Sequence, residues 1–135
     1  MEKAKRYFVR TTNTSVAAGA TETIFSKSFK GILKQMFIRM NGDDTTGTNA
    51  SVLKVKVDGE TILNHSLSGL YTEFCYGESD AAIVRKISWS NTEKVYALLI
   101  TFDTYVNNNI LITFENKDTS NACLINSGLI YDKYV

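Results

Sequence analysis

The chain has 135 residues, 44% hydrophobic and 21% charged, with Lys+Arg 15 against Asp+Glu 14. These proportions suit one globular domain and exclude general disorder, collagen and coiled coil. The net charge of +1 also lacks the strong overall field of most nucleic-acid binders.

Three features of the composition favour strands over helices. Ser, Thr and Asn fill 37 of 135 positions, and they suit turns and sheet surfaces better than helix interiors. Tyr and Phe number seven each, and aromatic side chains pack well on pleated surfaces. Proline is absent, so turns depend on Gly, Asn and Asp, and edge strands lack one of their usual blockers.

In chain order, Arg6 to Thr12 alternates as a first strand, and residues 13–21 read as a polar loop. Residues 22–30 alternate again. Gly31 breaks the pattern before a strand carrying Ile32, Met36, Ile38 and Met40. Residues 41–50 form a loop rich in Asn, Asp, Gly and Thr. Leu53, Val55 and Val57 then oppose Lys54 and Lys56, with Asp58-Gly59 next and Thr61, Ile62 and Leu63 beyond. Alternation into Asp-Gly predicts a tight hairpin, because a type I′ turn needs positive φ at both central residues.

Leu67, Leu70 and Phe74 are spaced for one or two helical turns. Strands follow at 83–89 and 94–102, a turn-rich link at 103–109, and a strand at 110–114. Residues 122–126 and 129–134 read as two strands separated by a turn at Asn126-Ser127-Gly128. The whole predicts an all-β, two-sheet antiparallel sandwich of jelly-roll type. It has eight or nine short strands and at most one short helix near 66–76. One domain, 1–135, is expected, with residues 1–5 as a flexible basic arm.

No catalytic constellation stands out. His65 is the only histidine and has no motif partner, so it reads as a hydrogen-bonded or surface residue. No metal motif and no cofactor are expected. The Asp43-Asp44 loop lacks the alternating ligands of a calcium loop, with Val52 in the twelfth place. Glu73, Glu78 and Asp80 lie among Tyr71, Phe74 and Tyr76. Paired carboxylates among aromatics suit glycoside hydrolysis, provided they face each other across a cleft. Tyr71, Tyr76, Trp89 and Tyr105 are candidates for stacking on sugar, with Trp89 the one best placed for burial. Tyr71 and Tyr76 with Asn107, Asn108 and Asn109 make the candidate ligand site, and Lys3, Lys5, Arg6 and Arg10 a candidate assembly arm. Cys75 and Cys123 read as two free, semi-buried thiols, and the sequence leaves a disulfide between them open. No apolar run follows Met1 to Arg6, and the longest such run falls short of a membrane span, so neither a secretory signal nor a membrane span is expected.

The order Gly31-Ile32-Leu33 to Ile38, then Leu53 to Glu60, then Leu67, Leu70, Phe74 and Gly77, resembles one lobe of a double-jelly-roll glycoside hydrolase family. That family includes fructan-anhydride-forming and arabinofuranosidase-type enzymes. Leu99 to Phe102, Asn109 to Ile112, Glu115-Asn116 and Tyr131-Asp132 continue the same order. The chain is about half the length such an enzyme needs, and no carboxylate falls on a catalytic position. The resemblance therefore implies the fold and not the chemistry. The chain is also similar to single-jelly-roll subunits of viral capsids, turrets and head fibres. That resemblance implies a virion structural protein made in a host cytoplasm. Its implied partners are copies of itself and other virion proteins, with a host glycan as a further ligand and no specific nucleic acid.

Overall fold

The computed structural model describes residues 3–42, 50–74 and 83–135. These hold nine strands: β1 (Ala4–Val16), β2 (Thr21–Ser28), β3 (Gly31–Gly42), β4 (Val52–Val57), β5 (Glu60–Ser66), β6 (Val84–Ser90), β7 (Val95–Val106), β8 (Asn109–Glu115) and β9 (Cys123–Tyr134). A single helical turn, α1 (Leu67–Gly69), runs into a π-helical turn at Leu70–Phe74. Ser66 caps α1 by accepting a hydrogen bond from the Gly69 N–H at 2.9 Å.

The pairing builds the fold in two steps. Antiparallel pairs β1·β9, β2·β8, β3·β7 and β4·β5 make a folded ribbon, and β3·β9 with β4·β8 roll it up. Two sheets result, ordered β1-β9-β3-β7-β6 and β2-β8-β4-β5. Without β6, this is the eight-strand order of a jelly roll, and β6 adds an edge beside β7.

The core lies between the sheets. Leu33, Met36, Ile38, Leu98 and Ile100 face inward from the larger sheet, and Leu53, Val55, Ile110, Ile112 and Phe114 from the smaller. Their neighbours in sequence point outward, which is the period-2 pattern that made the strands legible.

The Asp-Gly hairpin forms as expected, with Asp58 at φ 52° and Gly59 at φ 83°. Three other expectations are corrected. The expected loop at 13–21 is still β1 as far as Val16. A bulge between Thr11 and Thr14 absorbs Asn13 at φ 50°, and the Asn126 side chain accepts its N–H at 3.0 Å. The expected link at 103–109 is β7 as far as Val106. Asp103 takes the left-handed conformation at φ 49° within a bulge and pairs with Lys34. Asp tolerates that conformation better than most residues.

The third correction is the turn at Asn126-Ser127-Gly128, which is the middle of one continuous strand, β9. Ser127 donates to the Phe37 carbonyl at 2.6 Å. Gly128 lies under the Phe8 ring, where a Cβ would meet ring carbons at 3.3 and 3.4 Å. A glycine within a strand here marks a close approach rather than a break.

Candidate functional site

Among the described residues, the expected ligand residues Tyr71 and Asn107–Asn109 do not converge. Tyr71 lies flat on Trp89, with ring centroids 4.4 Å apart and 6° between planes. Trp89 meets Tyr96 edge-on at 4.6 Å. Trp89 is half-buried against the core, so one face of Tyr71 is already covered. The trio sits at the start of β7, whereas Asn107 follows its other end. Along a strand of this length that separation is about 30 Å. Tyr71 and Asn107–Asn109 therefore belong to opposite ends of the sandwich. Tyr76, the side chains of Glu73, Glu78 and Asp80, and Cys75 lie outside the described residues.

The Asn107–Asn109 loop has an internal partner that local sequence could not reveal. The Asp58 carboxylate accepts hydrogen bonds from the backbone N–H groups of Asn107, Asn108 and Asn109, at 2.9, 2.6 and 3.1 Å. These bonds hold its pKa below the ordinary 3.8, with those from Asn107 and Asn108 the main cause. The three asparagine side chains remain exposed. One residue thus turns the β4–β5 hairpin with its backbone and fixes the β7–β8 turn with its side chain.

The basic N-terminal residues are built into the sheet. Lys5, Arg6 and Arg10 lie in β1, paired with Lys133, Asp132 and Gly128 of β9. The Val135 N–H donates to the Lys3 carbonyl at 2.9 Å. Arg6 grips Asp132 with two hydrogen bonds, Nε–Oδ1 at 2.8 Å and Nη2–Oδ2 at 2.9 Å. That fork lowers the Asp132 pKa, the hydrogen bond being the largest cause.

At the end where β8 leaves the sheet, Asn116 is buried. Its Nδ2 donates to the Val16 and Asn121 carbonyls at 3.1 and 2.9 Å, and its Oδ1 accepts from the Asp118 N–H at 3.0 Å. Cys123, buried nearby, is a free thiol. Burial first, then the charge of Asp118, pushes its pKa up to about 11, so it is a poor nucleophile near neutral pH.

Two surfaces stand out among the described residues. On the flank where both sheets end, Ile62 of β5 is 41% exposed, while Ile83 and Ile87, before and within β6, are 59% and 53% exposed. The second is the outer face of the larger sheet. Its registers align Arg10, Gly128, Phe37, Leu99 and Arg85 in one row across five strands. The row beside it contains Phe8, Ile130 and Gln35.

No family model matches the chain. No curated protein matches it either. Among solved structures it is similar to dimeric latent PorU from Porphyromonas gingivalis, with a TM-score of 0.56 and 10% identity, over 98% of this chain and 13% of that one. It is also similar to FLHE, with a TM-score of 0.44 and 6% identity over 96% of each chain. A third likeness is to the infectious bursal disease virus VP2 subviral particle, with a TM-score of 0.29 and 11% identity, over 97% of this chain and 41% of that one. At such identity the PorU likeness speaks for the β-sandwich fold alone, and the chain spans only a small part of PorU. The other two carry no argument.

Proposed function

We propose that this chain is a non-enzymatic assembly subunit, a virion structural protein made in a host cytoplasm, that acts as a symmetric oligomer through its β5–β6 flank. The observation that carries the reading is the exposure of Ile62, Ile83 and Ile87 on or beside β5 and β6, the edge strands of the two sheets. Edge strands present unpaired N–H and C=O groups, and no proline blocks these ones. Closing the flank against a neighbouring subunit would satisfy backbone groups and remove apolar surface from water. Each isoleucine, already half covered, would contribute about 1 kcal/mol. Closed symmetry makes such a contact finite rather than fibre-forming. The jelly-roll order supports the virion setting by analogy of fold, since capsid domains use it, as do lectins.

A glycan-binding role has less support, because Tyr71 and Asn107–Asn109 lie at opposite ends. The described carboxylates Asp58, Asp118 and Asp132 are each engaged by backbone N–H groups or an arginine, which weighs against acid–base chemistry at those three positions.

Light scattering over a range of concentrations tests the proposal. A closed oligomer that dissociates in Ile62→Lys or Ile87→Lys is expected. A monomer at every concentration would overturn it.

A further inference from the structure

All four arginines of the chain, Arg6, Arg10, Arg39 and Arg85, project from the outer face of the larger sheet. The registers require it. Each is flanked along its strand by an inward-facing residue: Tyr7 and Val9 in β1, Ile38 and Met40 in β3, and Val84 in β6. By the same alternation the outer face carries these four arginines and, at the β3–β7 bulge, Lys34, against two acidic residues, Asp103 and Asp132. Both acids are already paired, with Lys34 and Arg6. Among the described residues, neither Arg10 nor Arg39 has an acidic partner. The near-zero net charge of the chain therefore conceals a one-signed face.

That face is also aromatic. Phe8 stands between Arg6 and Arg10 on the same side of β1. Its ring rests on Gly128, yet the residue is 64% exposed. Phe37 pairs with Gly128 from the other side and takes the same outward face. Arg10 and Arg85 stand at the ends of that row, about 19 Å apart at four strand spacings. Arg39 lies one row further along β3.

From this arrangement we infer that the outer face of the β1-β9-β3-β7-β6 sheet binds single-stranded nucleic acid without sequence preference. Arg10 and Arg39 meet phosphates, and a base stacks on Phe8. An aromatic platform on a sheet, flanked by guanidinium groups, supplies both things a single strand needs: a surface for the π-face of any base and cations for its backbone. A second copy docked face to face would set these arginines against their own counterparts, so the charge selects an anionic partner. The isoleucine flank meets this face only at β6, whereas Phe8, Arg10 and Arg39 lie on β1 and β3, so the inference does not depend on assembly.

The test uses the full chain and a fluorescent oligothymidylate of about 20 nucleotides, read by anisotropy from about 50 to 200 mM salt. Binding that weakens with salt is expected. The double variant Arg10→Gln/Arg39→Gln should lower the slope of log K against log salt by about 1.4, or 0.7 per lost phosphate contact. Phe8→Thr should weaken binding at least about five-fold, the low end for one stacked base, and leave that slope unchanged. Unchanged thermal melting would confirm that each variant is folded. Should Phe8→Thr fail to fold, Arg39→Gln, at an exposed position, still tests the face. Three results would overturn the inference. The first is no binding at the lowest salt. The second is binding indifferent to the arginine changes. The third is displacement by polyglutamate with no effect of Phe8→Thr, which would point to an acidic protein.

Discussion

Asn116 offers a sharp test of how the rolled sheets are joined. It is 1% exposed and sits just beyond β8. Through its three side-chain hydrogen bonds it ties the end of β1 to both halves of the 117–121 turn. Asn116→Ala would delete all three. A typical hydrogen bond contributes about 0.5–1.5 kcal/mol net, and buried groups left unpaired cost more than that. The expected loss is therefore about 3 kcal/mol. For a domain of this size that is roughly a 10 °C fall in Tm.

Asn116→Asp should be worse at neutral pH. It keeps the shape but points a second acceptor at two carbonyl oxygens. A carboxyl so placed has its folded-state pKa raised above its unfolded value. The variant is then least perturbed below the unfolded pKa and loses stability as pH rises through the folded one. Urea unfolding followed by the fluorescence of Trp89, the only tryptophan, reads both effects, because that ring is stacked in the folded state. A loss under about 1 kcal/mol for Asn116→Ala, or an Asp variant milder than the Ala variant at pH 7, would refute the reasoning.

Two further outcomes follow from geometry. A Cβ on Gly31 would lie 1.8 Å from the Asp132 carbonyl oxygen, so Gly31→Ala should break the β3–β9 pairing and leave little soluble protein. Gly59→Ala meets nothing within 4 Å and carries only the strain of φ +83°, about 1 kcal/mol. Urea midpoints should separate the two clearly, and equal effects would sink the argument. The second outcome concerns acid. Asp58, Asp118 and Asp132 all have lowered pKa values, held down by backbone N–H groups or by Arg6. Their contribution is present above the ordinary 3.8 and fades as pH falls through the lowered folded values. Stability measured from pH 6 to pH 2 should therefore drop below about pH 4, and less steeply in Asp58→Asn.

The strands were legible wherever one face met the core and the other met water. Leu53 to Val57 is the clearest case, and its Asp-Gly turn adds a local conformational demand that only a few residues satisfy. Legibility failed where a distant contact set the conformation. Gly128 looks like a turn residue within its own decapeptide, yet it is strand, paired with Arg10 and Phe37 on either side, and it leaves room for the ring of Phe8, 120 positions earlier. Asp103 looks like the end of a strand and is a bulge that Lys34 holds. Asp58 was read for its backbone alone, since the amides its carboxylate accepts from lie about 50 residues away.

The surfaces show the same limit in a form that bears on function. Counting charges along the chain gives near balance, and that average argues against an anionic partner. Period-2 alternation assigns Arg10, Arg39 and Arg85 to outward positions one at a time. Only the registers of β1, β3 and β6 reveal that outward means the same face in each case. Aromatic residues behave alike. Phe8 is an ordinary alternating residue until β9 places a glycine beneath it, and then it becomes a ring lying between two guanidinium groups. The pattern of a single strand fixes which side a residue takes, whereas function depends on which residues share that side, and strand order alone decides this. A sheet face of this kind can carry a charge far from that of the protein as a whole, so composition is a poor guide to what it binds.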